Sequence, residues 1–109
     1  MRIWDIPPAQ LCLRHLLGEH RELHALWSIL TAHRRGYAHH PETKRWRGKN
    51  KALYIRHEAL VEEMEKRGCQ HRSPLDKNLA TGIAVQSEYV DTPEEQRKRL
   101  KNKKCGCRV

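Results

Sequence analysis

The sequence contains no phenylalanine, and tryptophan and tyrosine occur only three times each, so its core cannot be built on aromatic side chains. It also lacks a run of about 20 apolar residues, the length that a membrane-spanning helix needs. The first residues lack the apolar core of a signal peptide, and we therefore expect a cytosolic protein. With 109 residues, of which 38% are hydrophobic, the chain is expected to form one domain with a modest aliphatic core.

Acidic residues are scarce: 13 Asp and Glu stand against 22 Lys and Arg, giving a formal net charge of +9. The positive charge is concentrated in two segments. Residues 31–51 contain seven Lys/Arg and one acid, and residues 96–109 contain seven Lys/Arg and no acid. Two basic segments on an otherwise mildly acidic chain favour a polyanionic partner. The alternative is a solvated surface with a loose basic tail.

Cysteine is also sparse, with four residues at positions 12, 69, 105 and 107. In a cytosolic protein we expect these thiols to be reduced. Cys105 and Cys107 form the only close pair, and one residue separates them instead of the two found in common zinc sites. Eight histidines leave a metal site open, but the sequence alone gives no metal assignment and no cofactor.

Hydrophobic periodicity predicts a long first helix over residues 9–33 and a second over 51–67. The first has a core stripe made of Leu16, Leu23, Trp27 and Leu30. Thr92, Pro93 and Glu95 form the start of a third helix, because they provide an N-cap, a proline at the first position and a capping-box glutamate.

Residues 34–50 carry Gly and Pro breakers and are predicted to form an irregular basic loop. No strand pattern is present. We therefore expect an all-α, compact single-domain bundle of about three helices, with a basic irregular loop and a basic C-terminal tail. A division into a helical unit over 1–91 and a C-terminal helix and tail over 92–109 is expected.

One face of the first helix combines residues suited to chemistry. His15 and Glu22 are seven residues apart, so they project within about 20° of each other. Gly18 lies between them and leaves room for an approaching group. This face borders the apolar stripe, where a carboxylate is partly desolvated and suited to proton transfer. Spacing alone is weak evidence, since most helix carboxylates are simply solvated.

Several short motifs, taken together with their distances from residue 1, resemble the phage-type pyrimidine dimer DNA glycosylase family, also called dimer-specific endonuclease V. The resemblance covers roughly residues 1–70. Its motifs are Arg2-Ile3, His15-Leu16, Glu19, Arg21-Glu22-Leu23, Arg56, Leu60, Glu63 and Lys66-Arg67-Gly68.

The resemblance implies that an N-terminal α-amine attacks C1′ of a damaged nucleotide, expels the base and forms an imine that permits strand nicking. Carried over by position, the nucleophile is Met1 and the essential glutamate is Glu22. Arg2, His15 and Arg21 match basic family residues that hold phosphate or orient the site. Because a large charged second residue generally blocks removal of methionine, we expect Met1 to be retained.

The chain departs from the phage-type pattern in two places. Ala25 stands where another phosphate-holding arginine is found, and a Lys/Arg/Cys tail replaces an aromatic-rich one. Basic residues elsewhere are therefore expected to contact nucleic acid, with Trp46 stacking on an extruded base or packing in the core. These expected contacts are Arg45, Trp46, Arg47, Lys49, Arg97 and Lys101.

The resulting hypothesis is a monomeric DNA N-glycosylase and abasic-site lyase that acts on cyclobutane pyrimidine dimers in double-stranded DNA. Two alternatives stay open: the same imine chemistry on another damaged or modified base, and a non-catalytic basic module that binds nucleic acid.

Overall fold

The computed structural model describes residues 2–32 and 39–109. Within these ranges the chain forms four α-helices and no strand: α1 (Leu13–Thr31), α2 (Pro41–Trp46), α3 (Asn50–Lys66) and α4 (Pro93–Asn102). Two 3-10 turns are also present, Pro8–Gln10 before α1 and Lys77–Leu79 between α3 and α4. The all-α prediction is confirmed. None of the helices in the described part of the chain is long and apolar enough to span a membrane.

The core lies between α1 and α3. The predicted stripe on α1 is confirmed, since Leu16 and Leu23 are fully buried and Trp27 is 6% exposed. Leu53 and Leu60 of α3 are also fully buried. Leu100 of α4 is only 1% exposed and packs in the same cluster.

The prediction of an irregular loop over 34–50 is wrong for residues 41–46, which form α2. Pro41 at the first helical position has the backbone angle that a helix needs. The His40 ring accepts a hydrogen bond from the Glu42 backbone N–H at 3.1 Å and so caps the helix. Glu42 in the first turn and Lys44 and Arg45 in the last also complement the helix dipole.

The first helix is shorter than the predicted 9–33. A 3-10 turn occupies Pro8–Gln10, and the chain is extended at Cys12 before α1 begins at Leu13. The start of α4 is as predicted, with Thr92 and Glu95 forming a capping box and Pro93 in the first turn.

Both ends of the described chain pack against the helices. In the extended N-terminal segment, residues 2–6, Ile3 and Ile6 are each 1% exposed. The C-terminal tail turns back onto the start of α1, where the Arg108 backbone N–H donates to the Gln10 carbonyl at 2.7 Å. Cys107 and Val109 are partly buried against the core. The tail is therefore part of the folded unit.

Candidate active site

A cleft of about 610 Å³ runs along the outer face of α1, between the N-terminal segment and α4. It is lined by residues from all three elements: Arg2, Trp4, Arg14, His15, Gly18, Glu19, Glu22, Arg99, Asn102 and Lys103.

The structure brings together in this cleft four residues that the sequence selected: Arg2, His15, Gly18 and Glu22. A Cβ atom built on Gly18 would have no described atom within 4 Å, so this position opens into free space. Glu22 is half-buried and makes no hydrogen bond or ion pair with another described residue. The cleft therefore contains a carboxylate that is available to a bound molecule.

The second carboxylate in the cleft, that of Glu19, has a structural role. Its side chain is fully buried and accepts two hydrogen bonds from the Arg56 guanidinium, at 2.7 and 2.9 Å. Burial raises the pKa of Glu19 from its ordinary value, and Arg56 opposes this rise. Arg56 also donates to the Ile6 carbonyl at 2.8 Å. This buried pair joins α1, α3 and the N-terminal segment.

Arg45 of α2 holds the same segment from another side. Its guanidinium donates to the Ile3 carbonyl at 2.9 Å and to the Asp5 carboxylate at 3.1 Å. The Arg45 Nε atom lies 3.0 Å from a Glu42 oxygen. The hydrogen bonds of Arg45 to described residues all go to oxygen acceptors, which offsets the cost of burying this cation.

Gln96 of α4 provides a third attachment. Its side-chain oxygen accepts the Asp5 backbone N–H at 2.6 Å, and its amide nitrogen donates to the Asp5 carboxylate at 2.8 Å. Arg2 is paired with Asp91 at 2.8 Å, and Arg99 is paired with the same carboxylate at 2.9 Å. The hydrogen bond from Arg2, aided by Arg99, lowers the pKa of Asp91.

Cations outnumber carboxylates in the lining of the cleft. Four cations line it, namely Arg2, Arg14, Arg99 and Lys103, of which Arg2 and Arg99 share Asp91 as a partner. Burial, followed by the charges of Lys103 and Arg14, lowers the pKa of His15, so this imidazole is neutral near pH 7.

The other expected DNA contacts lie elsewhere. Arg45, Trp46 and Lys49 are 5%, 2% and 6% exposed, so their side chains belong to the interior. Arg47 is exposed at the end of α2. Arg21, Arg97 and Lys101 lie outside the described lining of the cleft. Met1 lies outside the described residues.

Sequence reasoning missed the cleft residues Arg14, Arg99, Asn102 and Lys103. A usable signal exists in α4, because Gln96 and Leu100 are the buried positions of this helix. Arg99 and Lys103 are four residues apart and share one helical face, whereas Arg97 and Lys101 project from another. A helical projection that points Leu100 toward the core puts Arg99 and Lys103 on one face and Arg97 and Lys101 on another.

Two further clusters could hold a metal ion, one made of Cys12, His15, Cys105 and Cys107 and one of His20, His24, His57 and His71. In each, one ligand atom per residue lies within 4.8 Å of the others. Burial and the neighbouring rings lower the pKa of His20 to about 4.

Cations along a cleft and a carboxylate without a described partner on its wall are features of a site that binds a polyanion. The particular family follows from the comparisons. The sequence model of the family described as pyrimidine dimer DNA glycosylase matches residues 1–77. No curated protein and no solved structure gives a match.

Because the matched region is more than half of the 109 residues, the chain belongs to the pyrimidine dimer DNA glycosylase family. The expected family is confirmed, and the protein is a DNA-repair glycosylase whose substrate is DNA. The match ends before α4, so Arg99, Asn102 and Lys103 are added to the cleft by a part of the chain outside the matched region.

Proposed function

We propose that this protein is a DNA N-glycosylase with abasic-site lyase activity on cyclobutane pyrimidine dimers in double-stranded DNA. The Met1 α-amine is the nucleophile, and Glu22 is the acid–base partner. The single observation that carries this proposal is that Arg2 and Glu22 line the same cleft. Consecutive Cα atoms are about 3.8 Å apart, so an amine one residue before Arg2 is within reach of this cleft.

An α-amine is suited to this chemistry at neutral pH. Its ordinary pKa of about 7.7–8.0 leaves roughly 10–20% in the neutral, nucleophilic form at pH 7. An ordinary lysine, with a pKa of about 10.4, is only about 0.04% neutral. An amino terminus therefore gains a few hundredfold in reactive form without needing a special burial site.

The reaction has two stages. The amine nitrogen bonds to C1′ of the damaged nucleotide, the C1′–base bond breaks, and the base leaves with the electron pair. Opening of the sugar gives an imine, loss of a C2′ proton follows, and the bond between C3′ and its phosphate oxygen breaks. Glu22, as a carboxylate, stabilises the positive charge that develops at C1′ and accepts the proton that the amine nitrogen loses on bonding. It passes this proton to the ring oxygen as the sugar opens, then takes the C2′ proton as the phosphate leaves with the electron pair of the C3′–O bond.

The cleft cations position the DNA for this attack. Arg2 and Arg99 each use one N–H group on Asp91, and their remaining N–H donors can bind phosphate oxygens. Gly18 supports a close approach because the space above it is open to 4 Å among the described residues. A pyrimidine dimer within the duplex must expose its C1′ atom before the amine can reach it. The DNA double helix therefore has to open locally.

The test is reductive trapping with borohydride on UV-irradiated duplex DNA, followed by peptide mapping of the protein–DNA adduct. We expect the adduct at the α-nitrogen of Met1, and intact mass must show that Met1 carries the free amine of the mature chain. Acetylating that amine should abolish trapping. An adduct on a lysine, or binding with no adduct, would refute the proposed nucleophile.

Substrate preference is tested in parallel. Nicking of UV-irradiated duplex should exceed nicking of a matched uracil-containing duplex, while an abasic duplex reports the lyase step alone. Trapping on the abasic duplex together with equal activity on the uracil duplex would retain the imine chemistry and overturn the dimer assignment.

A further inference from the structure

Three cysteines and one histidine converge where the C-terminal tail meets the start of α1. Cys12 lies just before the helix and His15 in its first turn, while Cys105 and Cys107 come from the tail. The His15 Nδ1 atom lies 3.1 Å from the Cys12 sulfur and 3.4 Å from the Cys107 sulfur. The sulfurs of Cys105 and Cys107 are 3.4 Å apart.

These distances are slightly shorter than the edges of a tetrahedral zinc site, so a bound ion requires only a small outward shift of its ligands. With zinc–sulfur bonds of about 2.3 Å, tetrahedral geometry puts neighbouring sulfur atoms about 3.8 Å apart. Gly106, at a φ of +95°, adopts the left-handed backbone that brings the cysteines on either side of it to one point. All four residues are half-buried, and the Cys12 backbone N–H donates to the Cys107 sulfur at 3.1 Å.

We propose that Cys12, His15, Cys105 and Cys107 bind a structural zinc ion that fastens the C-terminal tail to the start of α1. Three thiolates and one imidazole fill the coordination sphere of zinc, so the site is closed and has no open position for catalysis. His15 then acts as a zinc ligand and does not bind phosphate. The ion fixes the tail just after Lys103, which lines the cleft.

The first test is the metal content of the purified protein and of two matched variants. Replacing Cys105 and Cys107 together by serine should remove one equivalent of zinc, whereas Cys69→Ser, outside the cluster, should retain it. Equal zinc in the double variant and the wild type would overturn the proposal.

A thiol count on the wild-type protein avoids any folding defect of the variant. One thiol, that of Cys69, should react with a thiol reagent before chelation, and all four should react after it. Substituting cobalt(II) should give sulfur-to-metal charge-transfer absorption that the double variant lacks. A disulfide among Cys12, Cys105 and Cys107 in the freshly purified protein would also overturn the proposal.

A separate cluster of four histidines joins α1, α3 and the segment after α3. His20 and His24 are four residues apart on α1, and His57 of α3 is fully buried. The Nε2 atoms of His24 and His57 lie 3.1 Å apart, close to the roughly 3.3 Å edge of a tetrahedral zinc site with nitrogen ligands. Ring centroids within the cluster, which His71 completes, are 4.6–5.2 Å apart.

Two atoms of this cluster have no hydrogen-bond partner among the described residues. The Nε2 atoms of His20 and His71 are buried and accept or donate no hydrogen bond within the described part of the chain. A buried polar atom without a partner destabilises the fold, so two of them in one cluster of rings need an explanation. A metal ion bonded to the four rings supplies the missing partners.

The surroundings of the cluster fit ligand histidines. The His57 Nδ1 atom lies 3.0 Å from a Glu58 carboxylate oxygen. Such a second partner fixes the ring orientation and leaves the other nitrogen to the metal. We infer that His20, His24, His57 and His71 form a second, closed site for a divalent transition metal, with zinc as the probe ion.

Metal content again tests the inference, independently of the cysteines. The wild type should bind two zinc ions per chain, and replacing His20 and His71 together by alanine should leave one. His39→Ala, exposed and outside the cluster, should keep two. Cobalt at this site should give absorption without sulfur charge transfer. A wild type that binds only the cysteine-held ion after dialysis against zinc would overturn the second site.

Discussion

Glu22 differs from its neighbour Glu19 in having no partner. Glu19 is bonded to Arg56, whereas Glu22 is half-buried on the cleft wall with no bond to a described residue. Glu22→Gln keeps the shape but removes the proton-transfer group. We expect borohydride trapping and nicking to slow by about 100-fold or more, with the Kd for DNA nearly unchanged.

Glu62→Gln on the exposed side of α3 is the matched control and should leave both quantities unchanged. Filter binding measures the affinity, and single-turnover trapping measures the rate. Parallel losses of affinity and rate in Glu22→Gln would show that the residue binds DNA and does not take part in the chemistry.

The pair formed by Glu19 and Arg56 is expected to dominate stability at the residue scale. Arg56→Met leaves the fully buried Glu19 carboxylate without its counter-charge. We expect this variant to lose about 3–5 kcal/mol in the free energy of unfolding, measured by urea titration monitored by circular dichroism. A double variant, Glu19→Gln with Arg56→Met, should recover part of the loss.

Lys66→Met is the control because Lys66 and its partner Glu62 are 66% and 71% exposed. Its effect should stay within about 0.5 kcal/mol. A loss in Arg56→Met no larger than in this control would mean that the buried pair contributes nothing to the fold.

Residue identity alone could not show that three of the expected DNA contacts are buried. The basic segment suggests DNA contacts at Arg45, Trp46 and Lys49. Hydrogen-bond acceptors that are distant in sequence hold the two cations, Arg45 and Lys49, in the interior. Arg45 bonds to Ile3 and Asp5, about 40 residues away, and Lys49 bonds to Gln86. A local pattern carries no information about such partners.

At the scale of elements, strong local signals were sufficient and weak ones were not. The capping box of Thr92 and Glu95 fixed the start of α4 because all its bonds lie within four residues. The short helix α2 was missed because six residues show too little periodicity, and its cap is a histidine side chain. The site face of α1 was found because His15, Gly18 and Glu22 share one helical face.

The two faces of α4 provide a test of the DNA surface. Replacing Arg99 and Lys103 by glutamine removes two cleft cations, and replacing Arg97 and Lys101 removes the same charge from another face. We expect the first variant to weaken DNA binding more. The slope of log affinity against log salt should fall by about 1–2 in the first variant, since each lost phosphate contact changes it by about 0.9.

The second variant is the internal control for net charge. Identical slopes for the two variants would mean that α4 acts only through overall charge. A larger effect of Arg97 and Lys101 would place the DNA on the other face of the helix, as the sequence first indicated.

At the scale of the molecule, the fold holds the N-terminal segment from three sides. The Glu19–Arg56 pair fixes Ile6, Arg45 of α2 fixes Ile3, and Gln96 of α4 fixes Asp5. The three contacts to Ile6, Ile3 and Asp5 join residues 42 to 91 positions apart, so hydrophobic periodicity could not reveal them. Under the proposed mechanism, this arrangement prepares the α-amine for attack by limiting the motion of the chain next to it.

Gln96 is the best residue for testing this idea, because it is 2% exposed and does not line the cleft. Gln96→Ala removes the bonds to the Asp5 backbone and carboxylate, so the N-terminal segment should open more often. We expect faster amide exchange at residues 3–6 and about tenfold slower trapping, which corresponds to about 1.4 kcal/mol in the barrier. DNA affinity should change little because the cleft cations remain.

Gln70→Ala, at an exposed glutamine bonded only to Arg72 among the described residues, provides the comparison. Its exchange and trapping rates should equal those of the wild type. Faster exchange in Gln96→Ala with an unchanged trapping rate would contradict the idea, because the amine would then react equally well from a loosened segment. Slower trapping with unchanged exchange would assign the effect to α4 and the cleft wall, since the segment itself would still be held.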